Sequence, residues 1–600
     1  MARKVLAMLL TLAVIPAANI LPATRATPGA RSSSSAAPAN AATANDLEKL
    51  GGDFWEWRDR NSPLDGDDIN RIPPGVSLPP GAGPDWSAAG IAAKRRSLAE
   101  FEARWKAMNP SGWPVAQQVD YQLMGSAIAR VRWELDLNRL WQRDPGFYLS
   151  QTLTALLESM VEPPPFDAER SRIIRARMGV IPAILESAKA NLHAVRPFAE
   201  LAIQSLGDIR QRLQHVDAEV SPMLADGDPA AFHAATERAI AALESYRAWL
   251  EQHLNSMPTP TAIGRSNYQF FLSRVALLPY TPDDLLRISR QEWERTVAFE
   301  QYEQHRDQGL PELTIAANID DEIHSATQDE LAIRKFLEDR GILSVPPDVG
   351  HYTTRPVPGY LEALSEFGEI DSFLGHTGVR YLHNPSPDLG FFELATTKDP
   401  RPLTVHEGVP GHFFQLTLSR MHQDPIRRHF YDSGSIEGLG FYAEEMMMQA
   451  GLFDDRPRAR ELIYSWMRLR ALRVEVDVKL ALGEFTIPQA ADYLQHYVPM
   501  DPHTAMGEAA AFAATPGQAI AYQIGKAQIL RFLADAKLKQ GSAFDLRAFH
   551  DYLWKNGNVP IALLHWEYLG LDDDWRDVQK HRANAIPSVA EPKPVAKGAN

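Results

Sequence analysis

Apolar residues recur at intervals of three and four through most of the chain from about residue 85 onward. In the clearest example, Asp228 and Pro229 precede an apolar stripe of Phe232, Ala235, Ala239, Leu243, Tyr246 and Leu250. Asp at the N-cap and Pro at the first helical position are typical of a helix start, and the stripe is the face that a helix buries. The same spacing predicts helices over 89–108, 116–143, 167–193, 283–305 and 458–482. We therefore predict a mainly α fold, with a large multi-helix body around a deep cleft.

Alternation of apolar and polar residues, which indicates strands, is scarce in this chain. The best candidates lie within 379–395 and include Gly390-Phe391-Phe392-Glu393-Leu394. We expect a short β edge there, just upstream of the histidine-containing stretch described below. An exposed edge strand beside such a site can pair its backbone with an extended peptide.

Length and composition are those of a globular protein. The 600 residues exceed the usual size of a single core, which predicts either two or three domains or one large helical body. Apolar residues make up 45% and charged residues 23%, so the chain can bury a substantial core. The net charge of -15 argues against nucleic acid or an anionic membrane as the main partner, because both favour clustered Lys and Arg. We expect a small molecule or a peptide instead.

The amino terminus has the pattern of an export signal. Arg3 and Lys4 precede an apolar run over 5–15, and the small residues Pro16-Ala17-Ala18 follow. Because the run is too short to span a bilayer as a permanent anchor, we predict a signal peptide over 1–18. The mature protein is then exported, either periplasmic or secreted, and has no integral membrane anchor.

Composition also divides the rest of the chain. Residues 19–44 are rich in Ala, Pro and Ser and are predicted to form a flexible linker, and the proline-containing tail over 586–600 is predicted to be disordered. Residues 62–86, rich in Pro, Gly and Asp, are predicted to form a long surface loop. Between the linker and the tail we predict an amino-terminal helical region over 45–260 and a helical region over 261–585 that carries the chemistry.

One stretch, Thr404-Val405-His406-Glu407-Gly408-Val409-Pro410-Gly411-His412, has the residue types of a metal site. A His-Glu pair followed by a second His lets a helix offer two imidazoles to zinc and a carboxylate to a water molecule. The usual form, H-E-x-x-H, is two residues shorter. Because the chain contains no Cys, any metal must be held by His, Asp or Glu.

The spacer between the two histidines does not fit a regular helix. Residues six apart on a helix differ by about 120° in direction, whereas residues four apart share a face. Pro410 cannot donate to the carbonyl of His406 and would clash with it. We therefore predict that the helix bulges between Glu407 and His412, which returns both imidazoles to one face.

Three segments in a fixed order resemble a known bacterial family. They are 403–415, which contains H-E-G-V-P-G-H, 437–445, with E-G-L-G-F-Y-A-E-E, and 516–525, with P-G-Q-A-I-A-Y-Q-I-G. Together they resemble bacterial domain-of-unknown-function family 885. That family looks like a distant relative of the gluzincin metallopeptidases, which are largely helical zinc carboxypeptidases and oligopeptidases. The resemblance covers about 45–580 and implies a zincin-like catalytic region within 261–585.

The resemblance implies one zinc ion per chain, with His406, His412 and Glu437 as its ligands. The spacing also supports Glu437, because a helix through about 421, a loop and a helix from Ser435 would form an antiparallel pair that returns Glu437 toward the histidines. As an alternative, Glu437 stabilises the start of its own helix, where an acidic residue is favoured.

Three further residues receive roles at this site. The resemblance implies that Glu407 is the general base that takes a proton from the attacking water. Tyr522 is our candidate donor of a hydrogen bond to the oxyanion, against the alternative of a buried Tyr satisfied by a neighbour. Glu444 follows Glu437 by seven residues on the same helix face, so it could orient a ligand histidine.

Gln518, Arg473 and Asp477 are additional candidates for substrate binding or for support of the ligands. Arg473 and Asp477 are four residues apart, so a salt bridge within one helix is the alternative.

The chain departs from the family pattern at three places outside the proposed ligands. Phe413 stands where relatives often carry His, and Ala481 stands where the family pattern that begins at Asp477 ends in His. Ala511-Phe512 replaces an Arg-Tyr pair.

These features predict an exported zinc-dependent metallopeptidase of the carboxypeptidase or oligopeptidase type, with a peptide as its substrate. The same activated water could instead hydrolyse a non-peptide amide or ester. A third reading is a catalytically silent protein that binds peptides in the cleft.

Overall fold

The structure is a computed structural model that describes residues 44–64, 84–225, 228–368, 370–373 and 377–584. The predicted signal peptide and tail lie outside these residues, as do the linker apart from Ala44 and most of the 62–86 loop. The described residues belong to one compact unit. The division into regions 45–260 and 261–585 stays a prediction.

The described residues are mainly α-helical, which confirms the predicted fold class. In the amino-terminal half the α-helices span Ala44–Asn61, Ala88–Lys106, Val115–Arg132, Leu140–Arg143, Pro145–Leu149, Ala155–Val161, Ala168–Asn191, Arg196–Ser205, Ile209–Val220, Pro229–His253, Arg265–Phe270 and Pro282–Arg306. In the carboxy-terminal half they span Ile319–Asp339, Gly359–Glu362, Phe391–Lys398, Arg401–Leu403, His412–Arg420, Pro425–His429, Ser433–Ala450, Ala459–Leu482, Ile487–Tyr497, Pro502–Ala514, Ala521–Gln540, Leu546–Lys555, Ile561–Leu569 and Asp573–Asn584.

Shorter helical turns interrupt or extend these helices. Wide π-helical turns span Trp133–Asn138, Ser150–Thr154, Phe271–Val275 and Thr404–Gly408. Tight 3-10 turns span Ser221–Met223, Leu254–Ser256, Ser365–Phe367 and Gly541–Ala543. None of the helices in the described ranges combines the length and the apolar content that a membrane crossing requires.

The helix at Pro229–His253 begins and packs as its sequence predicts. The side chain of Asp228 accepts a hydrogen bond of 3.0 Å from the backbone N–H of Ala231, which satisfies one of the free donors of the first turn. All six residues of its apolar stripe are buried. The helices predicted over 89–108, 167–193, 283–305 and 458–482 are also present, with small shifts at their ends. The single helix predicted over 116–143 is divided instead, because the π-helical turn Trp133–Asn138 and the left-handed Arg139, at φ 53°, separate Val115–Arg132 from Leu140–Arg143.

The described residues contain one sheet, made of two parallel strands. Tyr352–Pro356 pairs with Gly378–Leu382 in register, from Tyr352 opposite Gly378 to Pro356 opposite Leu382. Ser372 forms an isolated antiparallel bridge with Val379 on the second strand. The strand predicted within 379–395 is therefore present only in its first part.

The strand prediction for Gly390-Phe391-Phe392-Glu393-Leu394 is wrong, because Phe391–Lys398 is a helix. Asp501 accepts a hydrogen bond from the backbone N–H of Phe391 and so satisfies a free donor of the first turn. Phe392 packs against Trp466 with ring centroids 5.9 Å apart. A short apolar run fits either a strand or a helix, and here these distant contacts favour the helix.

Three long helices carry residues of the candidate site. They are named here the glutamate helix (Ser433–Ala450), the arginine helix (Ala459–Leu482) and the tyrosine helix (Ala521–Gln540). The glutamate and tyrosine helices pack against each other, and the arginine helix packs against Pro282–Arg306 and touches both. The largest apolar core contains buried residues from many elements, the first of which is Leu47 and the last Val578. Residues distant in sequence therefore fix the positions of these helices.

Candidate metal centre

The segment between the two histidines of the motif leaves the helical conformation and enters it again. The chain passes from the helical turn Arg401–Leu403 into the π-helical turn Thr404–Gly408. Val409 is extended, with φ -127° and ψ 123°, and the next helix begins at His412. The wide turn agrees with the predicted bulge, but the helix is broken here rather than continuous.

Two glycines of the spacer lie where a side chain would not fit. A Cβ atom on Gly411 would lie 1.7 Å from the carbonyl oxygen of His406, and one on Gly408 would lie 2.6 Å from the ring of Tyr352. The carbonyl of Pro410 accepts a hydrogen bond of 2.6 Å from the indole N–H of Trp554, on the Leu546–Lys555 helix. The break is therefore closely packed at Gly408 and Gly411, and a hydrogen bond from Trp554 fixes the carbonyl of Pro410.

The break brings His406 and His412 together with Glu437. Their imidazole centroids are 4.6 Å apart. Glu437 Oε2 lies 3.4 Å from Nε2 of His406 and 3.3 Å from Nε2 of His412. All three side chains are buried, and together they form the group of potential metal ligands found among the described residues.

The donor set and its spacing fit zinc. Nitrogen and oxygen ligands placed about 2.0 to 2.1 Å from a tetrahedral zinc ion are about 3.4 Å from one another. Glu437 Oε2 is buried without a well-aligned hydrogen bond to any described residue, although both imidazoles are near. One potential ligand atom of each residue therefore lies close to the other two, and three protein ligands leave a fourth position for water.

Small residues let the glutamate helix lie directly against the imidazoles. Asp432 is its N-cap and accepts a hydrogen bond of 2.7 Å from the N–H of Ser435, so the helix begins at Ser433, two residues earlier than predicted. Glu437 therefore projects from the first turns. A Cβ atom on Gly440 would lie 3.0 Å from Cε1 of His412 and 3.1 Å from Cε1 of His406.

Glu444 lies behind His406, where a residue that orients this ring would have to be. Its Oε1 is 2.6 Å from Nδ1 of His406, the nitrogen opposite the one that faces Glu437. The same oxygen is 3.1 Å from Nη2 of Arg470 on the arginine helix. A carboxylate this close to Nδ1 favours a proton on that nitrogen, which leaves Nε2 as the nitrogen that can bind a metal.

The electrostatics of the cluster favour a cation. Burial by itself lowers the pKa of His406, but contacts with Glu437 and Glu444 outweigh burial and raise the pKa to about 9. Burial likewise acts to raise the pKa of Glu437, but the two histidines outweigh it and hold that pKa well below its usual range. Positive charge is thus stabilised in a place from which bulk water is excluded.

Tyr522 lies beside the cluster, in the first turn of the tyrosine helix. Its ring is nearly parallel to the imidazole of His406, with centroids 6.2 Å apart and 16° between the planes. The guanidinium of Arg473 lies 4.7 Å from the centroid of the Tyr522 ring. Glu407 is adjacent to His406 in the π-helical turn and is partly exposed. The roles of both residues stay predictions.

The structure gives Arg473 and Asp477 different partners. Arg473 donates from Nε to Glu508 on the Pro502–Ala514 helix, at 3.0 Å. Asp477 is fully buried and accepts hydrogen bonds from the backbone N–H groups of Gly517 and Ala519, at 2.9 and 3.0 Å. Asp477 therefore holds the turn that contains Gln518 and leads into Tyr522.

Sequence reasoning missed two residues that the structure brings to this site. Arg470 contacts Glu444, and Trp554 holds the carbonyl of Pro410. The sequence does not single out Arg470, which is one of three arginines within 468–473, and its role depends on Glu444 on another helix. No sequence signal links Trp554 to the motif.

Comparison with known proteins matches this chain to a family and to solved structures. The family described as "Bacterial protein of unknown function (DUF885)" matches residues 79–567. A search of curated proteins found no match.

Two solved structures share the fold. One is described as "a putative lipoprotein of unknown function from Shewanella oneidensis", with 17% identity and a TM-score of 0.63 over 88% of this chain and 100% of that chain. The other is described as "the putative lipoprotein from Colwellia psychrerythraea", with 17% identity and a TM-score of 0.66 over 90% of this chain and 99% of that chain.

Proposed function

This chain belongs to the DUF885 family, and we propose that it is an exported zinc-dependent metallopeptidase that hydrolyses peptide bonds. The observation that carries the proposal is the convergence of Nε2 of His406, Nε2 of His412 and Oε2 of Glu437, at 3.3 to 3.4 Å between the carboxylate and the imidazoles. Export is supported by the charged and apolar pattern at Arg3, Lys4 and 5–15.

His406, His412 and Glu437 would hold one zinc ion per chain. When bound, zinc supplies a Lewis acid that polarises a carbonyl and lowers the pKa of a water molecule. Glu444 keeps His406 oriented through Nδ1, at 2.6 Å.

The remaining steps belong to the side chains around this cluster. Glu407 is the general base: it accepts a proton from the attacking water and later passes it to the leaving amine. Tyr522 donates its phenol O–H to the carbonyl oxygen of the substrate, and this hydrogen bond strengthens as the oxygen becomes negative. The three proposed ligands are buried, and charges interact more strongly away from water.

Among carbonyl substrates, peptides are favoured because the family that the three motif segments resemble looks like a distant relative of the gluzincin peptidases. The same groups would act on a non-peptide amide or ester, so these substrates remain the first rival. Residues typical of the family are replaced at Ala481 and Ala511-Phe512. The second rival is therefore a protein that binds peptides without hydrolysing them.

Metal content tests the site itself. Purified protein is expected to carry about one zinc ion per chain after zinc supplementation and dialysis, as measured by elemental analysis. His406→Ala should lose it, whereas alanine at the exposed His233 should not. A wild-type protein that stays metal-free after supplementation would contradict the proposal.

Activity tests the reaction. The zinc-loaded protein is incubated with a mixed peptide library, and the products are identified by mass spectrometry, which also shows whether cleavage is terminal or internal. Glu407→Gln should retain zinc and lower kcat by about 10²- to 10⁴-fold, the usual effect of losing a general base. Glu56→Gln, an exposed carboxylate, is the control. Turnover of esters alone favours the first rival, and peptide binding without turnover favours the second.

A further inference from the structure

Glu444 on the glutamate helix and Arg470 on the arginine helix form a buried chain of contacts that ends at His406. Glu444 is fully buried, and its Oε1 is 2.6 Å from Nδ1 of His406 and 3.1 Å from Nη2 of Arg470. Arg470 is only 3% exposed. A single carboxylate oxygen therefore contacts the imidazole on one side and the guanidinium on the other.

Arg470 is surrounded by aromatic rings rather than by other polar groups. Its guanidinium lies between 5.2 and 6.0 Å from four ring centroids, those of Phe441, Trp466, Tyr522 and Phe392. Its Nε and Nη1 have no hydrogen-bond partner among the described residues. Within the described part of the chain, Glu444 is the acidic group that compensates its charge.

A buried arginine with these surroundings lowers the stability of the folded protein unless another interaction compensates for it, because most donors of the guanidinium have lost their hydrogen bonds to water. Leu or Met would fill an aromatic pocket of this kind without that cost. The position is explained if the guanidinium is needed to hold the Glu444 carboxylate against His406. Without Arg470, Glu444 would be a buried carboxylate with the imidazole as its remaining close partner.

We propose that Arg470 is a positioning residue for the metal site: it holds the Glu444 carboxylate against Nδ1 of His406 and thereby keeps Nε2 of His406 directed at the metal. This inference rests on the proposed zinc site, and not on the nature of the substrate. The guanidinium of Arg470 also lies 5.6 Å from the centroid of the Tyr522 ring. Arg470 is therefore close both to Glu444 and to Tyr522, and each of these residues is next to the His406 imidazole.

Zinc affinity measures this role without any assay of hydrolysis. The dissociation constant of zinc is determined by competition with a chromophoric chelator for the wild type, Arg470→Met, Glu444→Gln and the double variant. Loss of a group that supports a ligand typically weakens metal binding about 10- to 100-fold. We expect a weakening of this size for each single variant, and partial recovery in Arg470→Lys, which keeps the charge but loses the planar fork.

The double variant separates a positioning role from a general packing role. If Arg470 acts through Glu444, Arg470→Met has no further effect once Glu444 is Gln, so the double variant binds zinc as tightly as the Glu444→Gln single variant. Multiplicative weakening in the double variant, or an unchanged dissociation constant in Arg470→Met, would overturn the proposal.

Arg468 provides a matched control on the same helix. It is largely buried and pairs with Glu300, at 3.3 Å, away from the metal cluster. Arg468→Met should leave the zinc dissociation constant unchanged, and an equal weakening there would also overturn the proposal.

Weaker zinc binding must be distinguished from misfolding and from a lack of hydrolysis. Circular dichroism checks each variant, and if Arg470→Met does not fold, the same cycle is run with Arg470→Lys in both backgrounds. A wild type that binds zinc but does not hydrolyse peptides contradicts only the proposed function. A wild type that fails to bind zinc contradicts both.

Discussion

His550 is a fully buried histidine whose two ring nitrogens both have partners. Nδ1 donates to the carbonyl oxygen of Ile342 at 2.8 Å, and Nε2 accepts from the hydroxyl of Tyr442 at 2.8 Å. Because a carbonyl oxygen can only accept, Nδ1 carries the proton of the neutral ring, and Nε2 is then free to accept from Tyr442. Burial lowers the pKa of His550 to about 4, although the Ile342 hydrogen bond and the charge of Asp551 act to raise it.

The lowered pKa predicts an acid-sensitive contribution to stability. Between the unfolded pKa of about 6.5 and the folded pKa of about 4, the unfolded chain binds a proton that the folded chain does not, so stability falls as pH falls through this window. From pH 7 to pH 5 we expect His550 to account for a loss of about 2 kcal/mol in the free energy of unfolding.

Urea unfolding of the wild type and His550→Gln at both pH values, with a chelator present, measures this loss. The difference between pH 7 and pH 5 should be smaller in the variant by that amount. Equal pH dependence in the two proteins would show that His550 is not responsible.

Sequence patterns identified the site residues whose types and spacing form a local motif. They missed residues whose role depends on a partner far away in the sequence. His406, Glu407 and His412 could be recognised because their types and spacing are specific to metal sites. Arg470 could not be assigned, because its charge has a meaning only beside Glu444, on another helix.

The contact between the glutamate and tyrosine helices depends on two glycines. Gly438 and Gly525 meet so closely that a Cβ atom on Gly525 would lie 2.7 Å from Cα of Gly438 and 2.0 Å from the carbonyl oxygen of Gly434. The contact lies next to Glu437 on one helix and three residues beyond Tyr522 on the other. It therefore sets the distance between a proposed metal ligand and the proposed oxyanion donor.

Gly525→Ala should push these two helices apart. Because the opposing atoms belong to the backbone, they cannot move aside as a flexible side chain could, and we expect a loss of about 3 kcal/mol in the free energy of unfolding. Zinc affinity and the rate of any hydrolysis should fall with it, since Glu437 and Tyr522 separate.

Gly507→Ala is the matched control for this substitution. Gly507 is an exposed glycine inside the Pro502–Ala514 helix, and no atom outside its own helix lies within 4 Å of the position that a Cβ would take. Alanine there should be neutral or stabilise the protein by up to about 1 kcal/mol. Urea unfolding compares the two variants, and similar stabilities would contradict the role given to the helix contact.

Elements with long periodic patterns were predictable, and those controlled by packing were not. The Pro229–His253 helix combines an N-cap, a first-turn proline and a six-residue stripe, all of which agree. The Phe391–Lys398 helix has only a short apolar run, so its conformation depends on Asp501 and Trp466. The break at Val409 was predicted as a distortion because Pro410 forbids a regular helix, but its form depends on Tyr352 and Trp554.

In the whole molecule, the site joins parts of the chain that are far apart in sequence. Its proposed ligands come from the segment around the break and from the glutamate helix, and Arg470 and Tyr522 come from two later helices. These elements share cores with residues from both halves of the chain. A metal bound here would therefore cross-link the carboxy-terminal part of the fold at one point.

Zinc binding should stabilise the folded protein, and the effect should be concentrated near the site. At a free zinc concentration of about 100 times Kd, the linkage relation gives about 2.7 kcal/mol of added stability. Hydrogen exchange should slow most in 404–412 and in Ser433–Ala450, while the Pro229–His253 helix, which packs on Ala168–Asn191, should change little.

The chain has 18 histidines, so zinc bound elsewhere must be separated from zinc bound at this site. His406→Ala removes one proposed ligand and leaves the others, and its hydrogen exchange should be the same with and without zinc. Comparison of the two proteins by hydrogen exchange and mass spectrometry thus reports the site alone. If the wild type and the variant gain equal protection, or if protection rises evenly over all helices, zinc acts through other residues and the three-ligand site is wrong. Protection confined to the break and the glutamate helix means that the metal holds together the two segments that supply its ligands.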